Sequence, residues 1–180
     1  EHIAFTRTDQ VDLGHLNPVP FNEDSLSTLV DHTREVMDRC QQPFLLEHIT
    51  SYLRVPEQLS ETEFINRLCE RSGAGLLLDV TNLLINSRNH EFDPIEWLNQ
   101  ISPEFIRQMH IVGYSYSDGV WHDRHCEPIQ EDLLELAKEV IAYAPVEAII
   151  IERDGAYPTS KQMELELLRL ERACESARCR

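Results

Sequence analysis

The stretch Met109–Ile129, MHIVGYSYSDGVWHDRHCEPI, gathers His110, His122, His125, Asp118 and Asp123 into one short length of chain. Imidazole and carboxylate together form the mixed nitrogen and oxygen donor set that iron, manganese and zinc accept. His110 closes the run Phe105-Ile106-Arg107-Gln108-Met109, which reads as a buried strand, and Asp123-Arg124-His125 reads as a polar, Gly-containing loop. A strand that ends in a His and runs into an Asp-x-His loop can aim both ring and carboxylate at one point.

The same design recurs elsewhere. Pro43-Phe44-Leu45-Leu46 runs into Glu47-His48, Gly75-Leu76-Leu77-Leu78 into Asp79, and Ala148-Ile149-Ile150-Ile151 into Glu152. With His2 after Glu1, five polar tips follow five apolar runs, near 1–5, 43–48, 75–80, 106–112 and 147–152. Any one strand-end acid would as readily cap a helix or pair with an arginine. Several on one rim, with histidines, argue for a cation, because buried unpaired carboxylates cost several kcal/mol.

Helical segments lie between these runs. Asn22 caps a helix whose apolar face carries Leu26, Leu29, Val30, Thr33, Val36 and Met37. Ser60 and Glu63 make a capping box before Phe64, Ile65, Leu68 and Cys69, and Ser72-Gly73 stops that helix. Asp93-Pro94 opens a short helix with Ile95, Trp97 and Leu98; Gln130–Ala144 and Thr159–Ala173 read as two more, while 9–20 reads as a loop. Strands apolar on both faces, alternating with helices, point to a parallel sheet covered by helices, whose active site forms at the carboxyl ends of the strands. Five strands are too few to close a (β/α)8 barrel, so the reading is a single partial barrel domain over 1–180. The absence of an initial Met leads to the expectation that the chain begins inside a longer protein.

Composition narrows the class. The 180 residues carry a formal net charge of −16, which argues against nucleic acid as a partner. No apolar run approaches the roughly 18 residues of a membrane span, and Glu1-His2 leads to the expectation of no signal peptide. Cys40, Cys69, Cys126, Cys174 and Cys179 form no CxxC and no even framework, so reduced cysteines and a cytoplasmic location are expected.

The blocks Glu1-His2-Ile3-Ala4-Phe5, Leu45-Leu46-Glu47-His48, Leu76-Leu77-Leu78-Asp79-Val80-Thr81-Asn82, Asn89-His90-Glu91-Phe92-Asp93-Pro94, Met109-His110-Ile111-Val112-Gly113, Asp123-Arg124-His125 and Ile151-Glu152-Arg153-Asp154 hold in order along nearly the whole chain. In these the chain resembles the multinuclear non-haem iron-dependent oxidative enzymes of the methanobactin-maturation type. The resemblance implies the last five strands of a (β/α)8 TIM-type barrel, with two or three iron ions and dioxygen as co-substrate. It implies oxidation of cysteine in a ribosomally made precursor peptide, often with a partner protein that holds the peptide leader. Carried over position by position, the implied metal ligands are His2, Glu47, Asp79, His110, Asp123, His125 and Glu152, with Asn82 as a further polar member.

The chain departs from the family pattern in several places: His48 and Thr81 stand where Asn is usual, Tyr114 where a second His is common, and Cys126 where an acid is frequent. His48 and His122 are the candidate replacements, and Arg153 is a candidate contact for a substrate carboxylate. Two other functions fit the residues. One is a divalent-metal hydrolase or isomerase on a xylose-isomerase-like barrel. The other is a non-catalytic module that binds a peptide or partner.

Overall fold

The computed structural model describes residues 1–178; Cys179 lies outside the described residues. Its centre is a parallel sheet of four strands, β3 (Leu45–Glu47), β4 (Gly75–Asp79), β5 (Ile106–Ile111) and β8 (Ala148–Ile151), paired in chain order. Strict sequential order of parallel strands, each followed by helix, is the arrangement of a barrel segment rather than of a doubly wound sheet. Glu47 is in register with Leu77, Asp79 with His110, and His110 with Ile150. Partners in register point to the same side, so Glu47, Asp79 and His110 share the inner face. Leu46, Leu76, Leu78, Met109 and Ile111 alternate onto the other side, where they are buried against the helices.

The helices are α1 (Glu23–Cys40), α2 (Glu61–Ser72), α3 (Val80–His90), α4 (Pro94–Leu98), α5 (Glu131–Tyr143) and α6 (Ser160–Arg178). Their starts follow local chemistry. Asn22 accepts from the Ser25 N–H at 2.9 Å, and Ser60 from that of Glu63 at 3.2 Å, each satisfying an otherwise orphan donor of the first turn. The sheet-to-helix core is filled by Leu26, Phe64, Leu68, Ile106, Leu133 and Val140, all buried.

Four sequence expectations are corrected. The strand expected near 1–5 contributes one parallel bridge, His2 to Glu47, flanked by Ile3 N–H to Glu47 O at 2.7 Å and Glu47 N–H to Glu1 O at 2.8 Å. From Ala4 the chain leaves the sheet for an antiparallel hairpin, β1 (Ala4–Thr8) and β2 (Val11–Pro18), where a loop was expected. Its turn is Asp9-Gln10, with Asp9 at φ 48°, and lacks the Asn-Gly or Asp-Gly pair that marks a tight hairpin. The expected Asp-x-His loop is also a hairpin, β6 (Gly113–Ser117) and β7 (Val120–Glu127), turned by Asp118-Gly119 at φ 54° and 81°. The unassigned stretch after Asn82 belongs to α3, a helix so deeply packed that Val80 through Ser87 are all buried, leaving no amphipathic period to read.

Gly113 joins β5 to the second hairpin. A Cβ there would stand 2.1 Å from Pro128 O and 2.4 Å from Glu127 O, both backbone atoms that cannot rotate away. Gly113→Ala is expected to lower stability by roughly 2–3 kcal/mol through overpacking. An unchanged urea midpoint would refute this.

Candidate metal centre

The inner face of the sheet ends in a group of facing ligands. Glu47, Asp79, His110 and Glu152 each offer a ligand atom, and these atoms all lie within 4.8 Å of one another. His110 Nδ1 stands 3.3 Å from Glu47 Oε1 and 2.8 Å from Glu152 Oε2, and His2 Nε2 stands 3.5 Å from Glu47 Oε2. A second group, His125, Glu152 and Asp154, meets the same distance. Here His125 Nδ1 faces Asp154 at 3.3 Å and Glu152 at 3.8 Å. Glu152 belongs to both groups.

The elements deliver these side chains for identifiable reasons. Glu47, Asp79 and His110 come from strand ends on one face. Glu152, just past β8, is held by its N–H bonding to Ile111 O at 3.3 Å. His125 comes from β7 with a left-handed φ of 50°, a backbone state costly for a non-glycine residue and concentrated at functional sites. Its Nε2 stands 2.7 Å from Asp123 Oδ1 as an ion pair, with Nδ1 toward Glu152 and Asp154. The hairpin itself is clamped to α3: Arg88 lies 4.8 Å from the Tyr114 ring centre and 4.3 Å from that of Trp121, and pairs with Asp132. Asn89 adds two bonds to the Trp121 backbone.

The electrostatics follow from carboxylates and imidazoles buried side by side. Asp79 is fully buried; Oδ1 caps α3 by accepting from Asn82 N–H at 2.8 Å, and Oδ2 has no partner. Burial pushes its pKa up to about 7, reinforced by the nearby Asp123 and Glu47 charges. His125 is raised to about 9, chiefly by its bond to Asp123 and against the effect of burial. Burial works against the charged form of His110 too, yet Glu47, Glu152 and Asp79 raise it overall. Burial alone would raise Glu47, and His110, His2 and His48 outweigh it, so that carboxyl is lowered.

The other expected site residues are placed elsewhere. His48, one residue past the end of β3, lines a separate cavity and joins neither ligand group; burial holds it at about 4. Asn82 is spent on the neighbouring loop, donating to His48 O at 3.1 Å and accepting from Thr50 Oγ1 at 2.6 Å. His122 contacts Ser117 O at 3.3 Å and stacks near Tyr52, and Asp118 turns the hairpin; neither joins a ligand group. Arg153 corrects the substrate-contact expectation: its side chain is 5% exposed, bonded to Glu166 at 2.8 Å and to Cys126 O at 3.0 Å. Cys126 donates to Arg124 O at 2.8 Å and is likewise outside the groups. Asp154 was missed, although Glu-x-Asp after a strand is the spacing that returns two carboxylates to one rim.

Residues 1–175 match the family model described as RiPP precursor modification enzyme MbnB/TglH/ChrH. The chain belongs to this family. Its similar relatives include a UPF0276 protein of Streptomyces avermitilis, 32% identical over 98% of this chain and 38% of that protein. The UPF0276 protein RB0508 of Rhizobium meliloti is 32% identical over 88% of this chain and 53% of its own length. One from Chromobacterium violaceum is 30% identical over 92% and 60%. The chain thus spans between 38% and 60% of the length of these relatives. Among solved structures, a sugar phosphate isomerase/epimerase from Parabacteroides distasonis superposes with a TM-score of 0.47 at 13% identity, over 88% of this chain and 56% of that one. Among the described residues no helix is long and apolar enough to cross a membrane.

Proposed function

We propose that this chain is the metal-holding part of an iron- and dioxygen-dependent enzyme that oxidises cysteine in a ribosomally made precursor peptide. The observation that carries the reading is the pair of ligand groups joined at Glu152, with Asp79 Oδ2 buried and unpartnered among them. An orphan buried carboxylate oxygen is a costly defect unless a cation completes it. The donors are imidazoles and carboxylates without a cysteine, a set that suits iron with positions left open for substrate. Glu47, Asp79, His110 and Glu152 would hold one ion, and His125, Glu152 and Asp154 a second. Bound iron supplies the electron transfer that activates dioxygen toward a thiol.

The chain's own residues do the rest. Asp123 keeps the Nε2 proton of His125, which leaves Nδ1 as the ligating atom. Ion binding must displace protons from Asp79 and His125, so uptake of metal strengthens as pH rises from about 6 to about 9. A cavity of about 390 Å³ opens over the groups, bordered by Leu16, Tyr52 and Arg124. Tyr52, half exposed, accepts the Asp123 N–H at 3.3 Å and so stands where a peptide would enter. A leader-binding partner protein completes the reading.

The test is anaerobic loading with Fe(II), metal analysis, then mass spectrometry of a Cys-containing precursor peptide encoded beside the gene, with and without air. Iron retention by the wild type, lowered from two ions to one in His110→Ala, and a mass change that requires air are expected. No iron retention, or peptide turnover without dioxygen, would overturn the proposal.

A further inference from the structure

A second cavity, about 490 Å³, lies on the other side of the loop that follows β3. Ile49 borders both this cavity and the one over the ligand groups, so a single stretch of chain separates them. Its walls include Phe21, Ile65, Phe92 and Trp97, and it opens beside Leu53, whose side chain is 66% exposed. The dividing loop is tied down: Thr50 donates to Asn82, Ser51 N–H to Asn86 at 2.9 Å, and His90 Nε2 meets Ser51 O at 2.6 Å. Such a wall holds the space open without a ligand.

One polar group there is unexplained. His48 lines the cavity at 2% exposure, and neither of its ring nitrogens has a hydrogen-bond partner. Its ring lies 5.4 Å from that of Trp97, whose indole N–H is already satisfied by Glu61 at 2.9 Å. An imidazole always carries at least one N–H to donate, and burying it unpaired is expensive. A mostly apolar pocket of this size with a few convergent polar groups is the usual form of a small-ligand site.

We propose that this cavity is a recognition site for an aromatic side chain of the substrate peptide, whose polar edge bonds His48. Aromatic walls favour a flat ring, and the orphan imidazole favours a ring carrying a hydroxyl or N–H. The peptide as occupant rests on the function proposed above; the affinity of the cavity for such a ring does not.

The experiment is saturation-transfer NMR of the 180-residue chain with N-acetyltyrosinamide, N-acetyltryptophanamide and N-acetylleucinamide. The two aromatic amides are expected to bind about tenfold more tightly than the leucine amide, the size of one hydrogen bond plus ring contact. Val55→Trp, which fills the rim, is expected to abolish binding while iron content stays as in the wild type. His48→Phe is expected to cut the preference for tyrosine over leucine to the part owed to ring contact, about threefold; an unchanged preference overturns the role of His48. Absence of amide binding to the wild type overturns the proposal, as does binding that persists in folded Val55→Trp. Amide binding by a chain that retains no iron upholds the recognition site while the iron reading fails.

Discussion

Asp79→Asn is expected to make the metal-free protein more stable and to remove the ion held by the group of Glu47, Asp79, His110 and Glu152. Asp79 has no solvent exposure, and its Oδ2 has no partner. Its pKa is raised by burial from 3.8 to about 7, so the fold favours the neutral acid. The folded state therefore binds more protons than the unfolded chain between about pH 4 and 7, and stability falls as pH rises through that window. Below it wild type and variant should match. Above it the wild type carries the full penalty of a buried charge, roughly 2–4 kcal/mol, which the neutral amide avoids. Asn retains the side-chain oxygen that caps α3 through the Asn82 N–H, so the helix start survives. With metal the order reverses: an ion in the Asp79 group at about a thousand times its Kd adds about 4 kcal/mol to the wild type and nothing to the variant, which cannot bind there. Urea titrations at pH 4, 6 and 8, in chelator and then with Fe(II), measure both halves. A variant less stable than the wild type at pH 8 in chelator would refute the account.

The contrast between what was legible in the sequence and what was not follows from how each residue is placed. Glu47, Asp79, His110 and Glu152 were readable because each terminates an apolar run, and parallel strands bring such ends to one rim. Asn22, Ser60 and Asp93 were readable as caps because capping is a local reaction of a side chain with its own next turn. Helix α3 was not, since burial on all sides removes the periodicity that identifies a helix. His48 was a candidate through the family pattern, where Asn is usual after the strand-end Glu; its place beside Trp97, outside the ligand groups, depends on packing that the sequence does not display. The hairpin carrying Asp123 and His125 had its signal in Asp118-Gly119, a pair that suits a turn with two left-handed residues. Arg153 could not have been assigned locally: its partner Glu166 lies on α6, and only the packing of that helix brings them together.

Glu152→Gln should remove both ions, and Asp154→Asn only one. Glu152 alone contributes to the two ligand groups, with Oε2 2.8 Å from His110 Nδ1 and 3.8 Å from His125 Nδ1. Replacing its charge with an amide leaves each group short of an anionic donor while retaining side-chain size. Loss of residues that merely orient ligands costs about 10- to 100-fold in metal affinity, so loss of a shared ligand should cost at least about 100-fold at each position. Asp154 touches only the His125 group, so its amide should lower the bound metal from two ions to one and leave the Glu47–Asp79–His110 group loaded. Neither change should cost much folding stability, because the Glu152 side chain is 35% exposed and that of Asp154 73%. Binding and folding are thereby separable, unlike at Asp79. Co(II) absorption titrations with metal analysis give the stoichiometry of each variant. A Glu152→Gln protein that still binds two ions would show that the carboxylate does not join the groups, and an Asp154→Asn protein that binds none would show that the two positions load only together.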